Sequence, residues 1–589
     1  MKIVSKHPLV FAVSLMAAVG AGWGCKDFLE KASEPQGQLD ETTLKTKSGV
    51  EGALIAAYRA LDWTNGVAGN WGSAASNWVW GSVTSDDAYK GSEATDQPDI
   101  NDIEAYHWAT GATERYMNDK WKAAYEGAYR ANATLRLLKE VQTAKPTEID
   151  DATAKGITGE AVFLRAYFHF EAYRMWGNVP YYREGDEEFK KPALAADAVP
   201  AEIIKDLDQA ISLLGTTPRN GDKARATQWT AKAYKGRVQM YAGQFAAAKT
   251  TLTEVKTSGP YALEQSYDRV WTGFSDFANG KETIFAYQAS INDGEPNGNN
   301  ANYGERLNFP HSGSPFGCCG FHQPSQNLVN YFKVDAQGLP LALSDANWNS
   351  SDANFTSANL AAVDPRLDYT VGRDGVPYKD WGPHLSSWIR APAYGGVYSP
   401  KKNAQEKASG NVSSVGWQPS QQNGVNIHLF RYADLLLLLA EAEVEAGSLE
   451  NARTIVNDIR KRAAVAVQGP GTDRATIAVP INDSRITWAT YRVGTYDTPF
   501  TSQADARAKV RAERRLELAM EGQRFFDLRR WGLLETTLNA YLAVEKNRRL
   551  YLAAAEPVAQ RHRLYPIPAI QIELSKVNGQ ETLKQNPGW

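Results

Sequence analysis

Two stretches of the chain fit the 34-residue pattern of a tetratricopeptide helical hairpin, in which small residues recur at fixed positions. In the first, residues 227–260, placing Gly243 at position 15 of the pattern puts Gly236 at position 8. In the second, residues 431–464, Gly447 takes position 15. The chain is therefore predicted to contain an array of such hairpins.

The two hairpins are separated by residues 275–426, which have little helical periodicity and are rich in Gly, Asn, Ser and Pro. A stretch of that length is too long for a passive loop, so we expect a semi-independent, loop-rich insertion that contributes to ligand binding. The predicted organisation is a helical region at 48–274, the insertion, and a second helical region at 427–589. Further helical pattern occurs at 113–141, 158–176 and 504–531.

The first 24 residues have the layout of a bacterial lipoprotein signal peptide. A positively charged start precedes an apolar run, and Cys25 stands at the expected cleavage point. A thiol on the first mature residue can carry acyl chains, and more than one chain anchors a protein stably. We predict a signal peptide at 1–24, lipidation at Cys25 and a tether at 25–47. Trp23 departs from the usual small residue, and an ordinary signal peptide is the alternative.

Four motifs are spread in order over nearly the whole chain. They are CKDFLE (25–30), GEAVFLRAYFHFEAYRMWGNVP (159–180), the pair RYADLLLLLAEAEVEAG (431–447) and ERRLELAMEGQRFFDLRRWG (513–532), and the C-terminal YPIPAIQIE (565–573) with KQNPGW (584–589). In sequence and order they resemble the SusD/RagB family, outer-membrane lipoproteins that partner TonB-dependent transporters in Bacteroidetes. Any one motif would be weak evidence, but the four together make the resemblance specific.

The resemblance implies a mainly α fold, in which four tetratricopeptide-like hairpins form a scaffold for a loop-rich, irregular ligand-binding region. It implies a protein lipid-anchored in the outer membrane that captures oligosaccharide or polysaccharide at the cell surface. The ligand would be delivered to a SusC-like TonB-dependent transporter. Some members handle peptides, so a peptide ligand is the alternative.

Composition and motifs argue against other functions. Lys and Arg number 64 against 67 Asp and Glu with no basic run, so no nucleic-acid partner is expected. The scattered histidines indicate no metal site, and no cofactor is expected, although a structural calcium on loop carboxylates is left open. A surface glycoside hydrolase is the remote alternative, because the adjacent Asp86 and Asp87 make a poor facing pair. We therefore predict a binding protein and not an enzyme.

Aromatic side chains are the candidate sugar-binding groups. A sugar ring has an apolar face that packs on flat Trp or Tyr rings, while polar groups bond its hydroxyls. Two segments rich in aromatic residues and loop formers, 71–89 and 378–398, supply both. The predicted carbohydrate-binding residues are Trp71, Trp78, Tyr89, Trp381, Trp388 and Tyr394. We expect the four Trp residues to be needed for binding and not for the fold; core packing is the alternative.

Two further features concern charge and sulfur. On a helix, Glu517, Glu521 and Arg524 would lie one turn apart, which we interpret as ion pairs that fix helix packing. The adjacent Cys318 and Cys319 are candidates for a vicinal disulfide, which the oxidising cell surface would allow. Reduced, buried thiols are the alternative.

Overall fold

The computed structural model describes residues 44–63, 71–311, 313–356 and 362–589. The predicted signal peptide, the lipidation site at Cys25 and most of the tether lie outside the described residues. No helix within the described ranges combines the length and the apolar character that crossing a membrane requires.

The chain is mainly helical, as predicted. Its α-helices are α1 (Lys47–Arg59), α2 (Asp99–Glu104), α3 (Gly111–Ala144), α4 (Asp151–Trp176), α5 (Val199–Leu213), α6 (Gln228–Tyr241), α7 (Phe245–Ser258), α8 (Gln326–Tyr331), α9 (Arg366–Thr370), α10 (Pro392–Gly395), α11 (Tyr432–Ala446), α12 (Leu449–Ala463), α13 (Gln503–Leu518), α14 (Arg524–Arg530), α15 (Leu534–Arg548) and α16 (Ala569–Leu574). A stretch of π-helix occupies Trp78–Val83.

The described residues also form short 3-10 helices, among them Trp71–Ser73 and Tyr303–Glu305, and short strands. The strands are β1 (Ala88–Gly91), β2 (Thr283–Tyr287), β3 (Phe321–Pro324), β4 (Val371–Gly372), β5 (Ser399–Pro400), β6 (Ile427–Arg431), β7 (Ala466–Gln468) and β8 (Ala478–Pro480). The strands pair antiparallel as β1 with β3, β2 with β6, β4 with β5 and β7 with β8.

The helices pack against one another largely in chain order. α3 packs on α4, α4 on α5, α5 on α6 and α6 on α7. α7 then packs on α11, and α11 packs on α12 and α13. The two hairpins predicted from the 34-residue pattern are α6 with α7 and α11 with α12. The array therefore continues from α7 directly to α11, and the residues between these helices are inserted into it.

The first predicted hairpin has glycine at two positions that disfavour a larger side chain. Gly236 on α6 faces Leu252 on α7, where a Cβ would come within 2.4 Å of a Leu252 methyl carbon. Gly243, in the turn between the helices, has a φ of 70°, which favours glycine. The pattern identified the hairpin because close helix contact and a left-handed turn each require a glycine.

The β2–β6 ladder closes the insertion at its base. Thr283 pairs with Arg431, and Tyr287 pairs with Ile427. The chain thus leaves the helical array on β2 and returns on β6, immediately before α11. Part of the insertion has an apolar core of its own, formed by Phe309, Phe316, Tyr378, Trp388 and Ala404.

The amphipathic stretch at 504–531 forms two helices, and the single-helix spacing assumed from the sequence is wrong there. Met520 and Gly522 lie between α13 and α14 with φ values of 65° and 69°, which a right-handed helix does not contain. Arg524 therefore does not follow Glu517 along one helix face. The charged residues of this stretch find their partners in other parts of the chain.

Buried ion pairs tie the insertion to the helical array. Glu517 on α13 accepts hydrogen bonds from Arg431 of β6 at 2.7 Å and from Arg366 of the insertion at 3.0 Å. Arg462 on α12 also donates to Glu517. Acids and bases are present in equal number: Glu282, Asp364, Glu513, Glu517 and Glu521 with Arg366, Lys402, Arg431, Arg460 and Arg462. We call this set the buried ion network.

Pairing keeps these charges ionised inside the protein. Burial alone would raise the pKa of Glu517, but its three guanidinium partners outweigh burial and hold that pKa well below its usual range. The side chains of the network are at most 9% exposed. An unpaired charge at such a depth costs several kcal/mol, so the segments that carry the network must come together in one arrangement.

Residues 81–87, which include the end of the π-helix, are held against α13, α14 and the residues that connect them. Arg524 donates to Asp86 at 2.7 Å, and Arg515 donates to Asp87 at 3.1 Å. Burial alone would raise the pKa of Asp86, but the two arginines outweigh it and lower that pKa to about 2. Between these contacts the backbone of Gly81 approaches Gly522 so closely that a Cβ on Gly81 would lie 1.8 Å from the Gly522 oxygen.

Gly81→Ala is expected to lower the free energy of unfolding by at least about 2 kcal/mol, because backbone must move to admit the methyl group. Gly52→Ala is the matched control, since a Cβ on this exposed position of α1 meets nothing within 4 Å. We expect the control to gain about 0.5 to 1 kcal/mol from helix propensity. Urea unfolding followed by tryptophan fluorescence measures both, and equal stability of Gly81→Ala and wild type would contradict the packing described.

Candidate ligand-binding surface

One exposed tryptophan stands next to a cluster of half-buried aromatic rings. The Trp417 side chain, in the insertion, is 59% exposed. The Arg306 guanidinium lies 5.2 Å from the centroid of the Trp417 ring and 4.3 Å from that of Tyr303. Tyr303 in turn stacks on Trp71, with centroids 5.9 Å apart and ring planes 13° apart. We call Trp71, Tyr303, Arg306 and Trp417 the aromatic surface.

The Arg306 guanidinium is not paired with an acidic side chain of the described chain. Among the described residues no carboxylate forms a salt bridge with it, and its Nε atom has no hydrogen-bond partner. Burial lowers the pKa of Arg306, although an arginine stays charged at neutral pH. A half-buried guanidinium that has no carboxylate partner in the described chain and lies among aromatic rings is suited to bind hydroxyl or carboxylate oxygens of a ligand.

Buried tryptophans hold the two turns that carry this surface. The Trp78 indole N–H donates to the Gly304 carbonyl at 3.2 Å, beside Tyr303. The Trp80 indole N–H donates to the Gly72 carbonyl at 2.7 Å, beside Trp71. The adjacent π-helix thus uses the polar edges of its indoles to position the aromatic rings that reach the surface.

Glu305 lies in the turn that carries Tyr303 and Arg306, and its side chain points into the protein. It is buried and accepts hydrogen bonds from Asn308 at 2.8 Å and from Ser76. Burial raises the pKa of Glu305 to about 7, against these two hydrogen bonds, which lower it. The carboxyl group lies directly behind the turn that presents Tyr303 and Arg306.

Three of the predicted sugar-binding residues are instead core residues, and those predictions are wrong. Trp78 and Tyr89 are 0% exposed and Trp388 is 4% exposed. The Tyr89 hydroxyl donates to Glu545 at 2.6 Å. Trp388 belongs to the core of the insertion. The Gly, Pro and Ser residues around Trp388 suggested exposure, but the loops of this insertion fold over an apolar core.

The other three predicted residues are half-buried. Trp71 lies in the aromatic surface. Trp381 donates its indole N–H to the Gln405 carbonyl at 2.9 Å and packs against the core of the insertion. Tyr394 donates to Asn101 at 2.6 Å and stacks on Tyr551.

Sequence reasoning missed Tyr303, Arg306 and Trp417. The available signal was local composition, since Tyr303 follows a stretch rich in Asn, and Trp417 follows Gly416 in a polar loop. Neither signal singles out those positions from many similar ones in the insertion. Only the fold shows that they meet Trp71, which is more than 200 residues away along the chain.

The described chain has two further features. Cys318 and Cys319 are joined by a disulfide, and the peptide bond between them is cis. A cavity of about 580 Å³ lies beside Trp348, Tyr541 and Arg524. Within the described ranges no group of three or more His, Cys, Asp or Glu side chains is placed to hold a metal ion.

Two family models match the chain. The model described as the SusD family matches residues 281–589, and a model described as starch-binding, associating with outer membrane, matches residues 27–240. The chain belongs to the SusD family. The resemblance inferred from the four sequence motifs is thereby confirmed.

Individual SusD-like proteins match over most of the chain. SusD-like protein P38 of Formosa agariphila is 25% identical over 528 residues, which cover 87% of this chain and 89% of that protein. Surface glycan-binding protein A of Bacteroides thetaiotaomicron, solved in complex with laminarihexaose, has a TM-score of 0.64 at 18% identity, covering 92% of this chain and 99% of its own. A laminarin-binding SusD-like protein has a TM-score of 0.63 at 22% identity, with 92% and 100% covered.

Glu305→Gln is expected to make the free energy of unfolding fall less than in wild type as the pH rises above about 5. Between pH about 4.3, where an unfolded Glu titrates, and about 7, the folded protein holds a proton on Glu305 that the unfolded chain has released. The free energy of unfolding therefore falls as pH rises through this window. From pH 5 to pH 8 wild type should lose roughly 2 kcal/mol more than Glu305→Gln.

Urea unfolding at several pH values measures this difference. Glu187→Gln, which changes an exposed side chain, is the control and should follow wild type. Identical pH dependence of wild type and Glu305→Gln would show that Glu305 is ionised in the folded protein throughout.

Proposed function

We propose that this SusD-family protein is a surface lipoprotein that binds glycan and delivers it to a SusC-like TonB-dependent transporter. The observation that carries the proposal is the aromatic surface, where the 59% exposed Trp417 ring stands beside the Arg306 guanidinium. Anchoring through Cys25 and delivery to the transporter are parts of the proposal that rest on the sequence motifs and the family.

The chemistry of the surface suits a sugar. The Trp417 ring is 59% exposed and offers a flat apolar face to the C–H side of a pyranose ring. The Arg306 guanidinium lies over the rings of Trp71, Tyr303 and Trp417 and can donate to hydroxyl oxygens at the rim of the sugar.

The relatives support a glucan as the first ligand to test. One solved SusD-like protein is described as laminarin-binding, and another is described in complex with laminarihexaose. Starch is a second test ligand, because the family model that matches 27–240 is described as starch-binding.

Two alternatives are weighed against the geometry. A peptide-binding protein would have its Trp residues in the core, as Trp78 and Trp388 are, but the exposed Trp417 ring favours a glycan. A hydrolase would need free carboxylates, whereas Asp86 and Asp87 are buried in ion pairs with arginines.

Trp417→Ala is expected to weaken glycan binding about tenfold or more, because it removes the most exposed ring of the surface. Its melting temperature should stay close to that of wild type, since the ring is largely in solvent. Trp229→Ala, which removes a half-buried indole from α6, is the matched control and should bind as wild type does. Trp78→Ala should instead lower the free energy of unfolding by about 3 to 5 kcal/mol.

Native affinity gels cast with laminarin, starch and other plant, fungal and bacterial polysaccharides measure these effects on the mature chain without its lipid. Retardation of wild type by a glycan, lost in Trp417→Ala alone, is the expected result. Failure of every glycan to retard wild type would overturn the proposal and favour peptides. Equal retardation of wild type and Trp417→Ala would place the site elsewhere.

A further inference from the structure

The Cys318–Cys319 disulfide lies between the two segments that carry the aromatic surface. On its C-terminal side, Phe321 donates its backbone N–H to the Leu307 carbonyl at 3.1 Å, next to Arg306. On its N-terminal side, Gly317 faces Gln418, where a Cβ would be 3.7 Å from the amide oxygen. Gln418 follows Trp417 directly in the chain. The disulfide therefore stands where the Arg306 segment and the Trp417 segment approach each other.

The two cysteines differ in exposure. Cys319 is 3% exposed and belongs to the main hydrophobic core of the protein. Cys318 is half-buried and follows an exposed glycine. Both cysteines thus contact the core, and Cys318 is the more exposed of the two.

We propose that the Cys318–Cys319 disulfide is a positioning element of the glycan-binding surface, which sets the spacing between Arg306 and Trp417. This inference rests on the proposed function. Bonded to each other, the two side chains form a small closed ring with the backbone and cannot change rotamer independently. As free thiols they can, and the half-buried Cys318 would then no longer fix Gly317 in one place against Gln418 of the Trp417 loop.

The covalent change is a two-electron reduction. A water-soluble phosphine attacks one sulfur and breaks the S–S bond, two protons are taken up to give two thiols, and water supplies the oxygen of the phosphine oxide. Backbone bonds on both sides of the disulfide do not depend on it, since Gly320 donates to Phe309 at 2.8 Å and β3 stays paired with β1. Reduction should therefore alter the binding surface and leave the fold intact.

The test measures glycan affinity with the redox state under control. In a soluble form that starts at residue 26, after the lipidation site, Cys318 and Cys319 are the only cysteines, so alkylation and intact mass should show two adducts only after reduction. Reduction of wild type is expected to weaken binding about tenfold, and reoxidation should restore it. Cys318→Ser combined with Cys319→Ser should bind as weakly as reduced wild type and should not respond to the phosphine.

Several results separate this inference from the proposed function. Oxidised wild type that binds no glycan would remove the proposed function and this inference with it. Glycan binding that is unchanged by reduction, with Trp417→Ala still defective, would overturn the inference and leave the proposed function standing. Alkylation of both cysteines without reduction would also overturn it. If the double serine variant fails to fold, reduction and reoxidation of wild type decide the question.

Discussion

The packing of the insertion against the helical array depends on the buried ion network, whose charges are stable in the interior only when they are paired with one another. Glu517 receives guanidinium groups from β6, α12 and the insertion. Because each of these charges would be costly to bury alone, correct docking of one segment requires the others. The β2–β6 ladder brings the ends of the insertion together, and the buried ion network then fixes the insertion against the helical array.

The relative positions of the residues in the aromatic surface depend on how the insertion packs against the N-terminal region. Trp71 comes from the N-terminal region, while Tyr303, Arg306 and Trp417 come from two parts of the insertion. The π-helix that supports them through Trp78 is itself held to the α13–α14 connection by the ion pairs of Asp86 and Asp87. Charges buried in the protein interior thus set the spacing of aromatic rings at the surface.

The sequence predicted the helical array well because its determinants are local. The hairpin at 227–260 depends on Gly236 and Gly243, whose roles can be inferred from spacing alone. The break in the stretch at 504–531 is not predictable from residue type, because Met520 adopts a left-handed backbone conformation that methionine rarely takes. The family resemblance came from several short motifs whose order, not whose individual strength, was informative.

The binding surface was largely not predictable because its members are far apart in the chain. Trp71 was identified, but Trp78, only seven positions later, is buried and points its indole N–H at a backbone carbonyl. Loop-forming residues around Trp388 indicate irregular backbone, but irregular backbone does not imply an exposed side chain. In an insertion with its own apolar core, a residue in irregular backbone can have a buried side chain, and a single sequence does not distinguish such a residue from an exposed one.

A crystal structure of the mature protein with the oligosaccharide of the glycan that it binds tests the central claim most directly. We expect a sugar ring packed on Trp417, with hydroxyl oxygens within hydrogen-bond distance of the Arg306 guanidinium. An oligosaccharide bound instead in the cavity beside Trp348 and Arg524, with the aromatic surface empty, would contradict that claim.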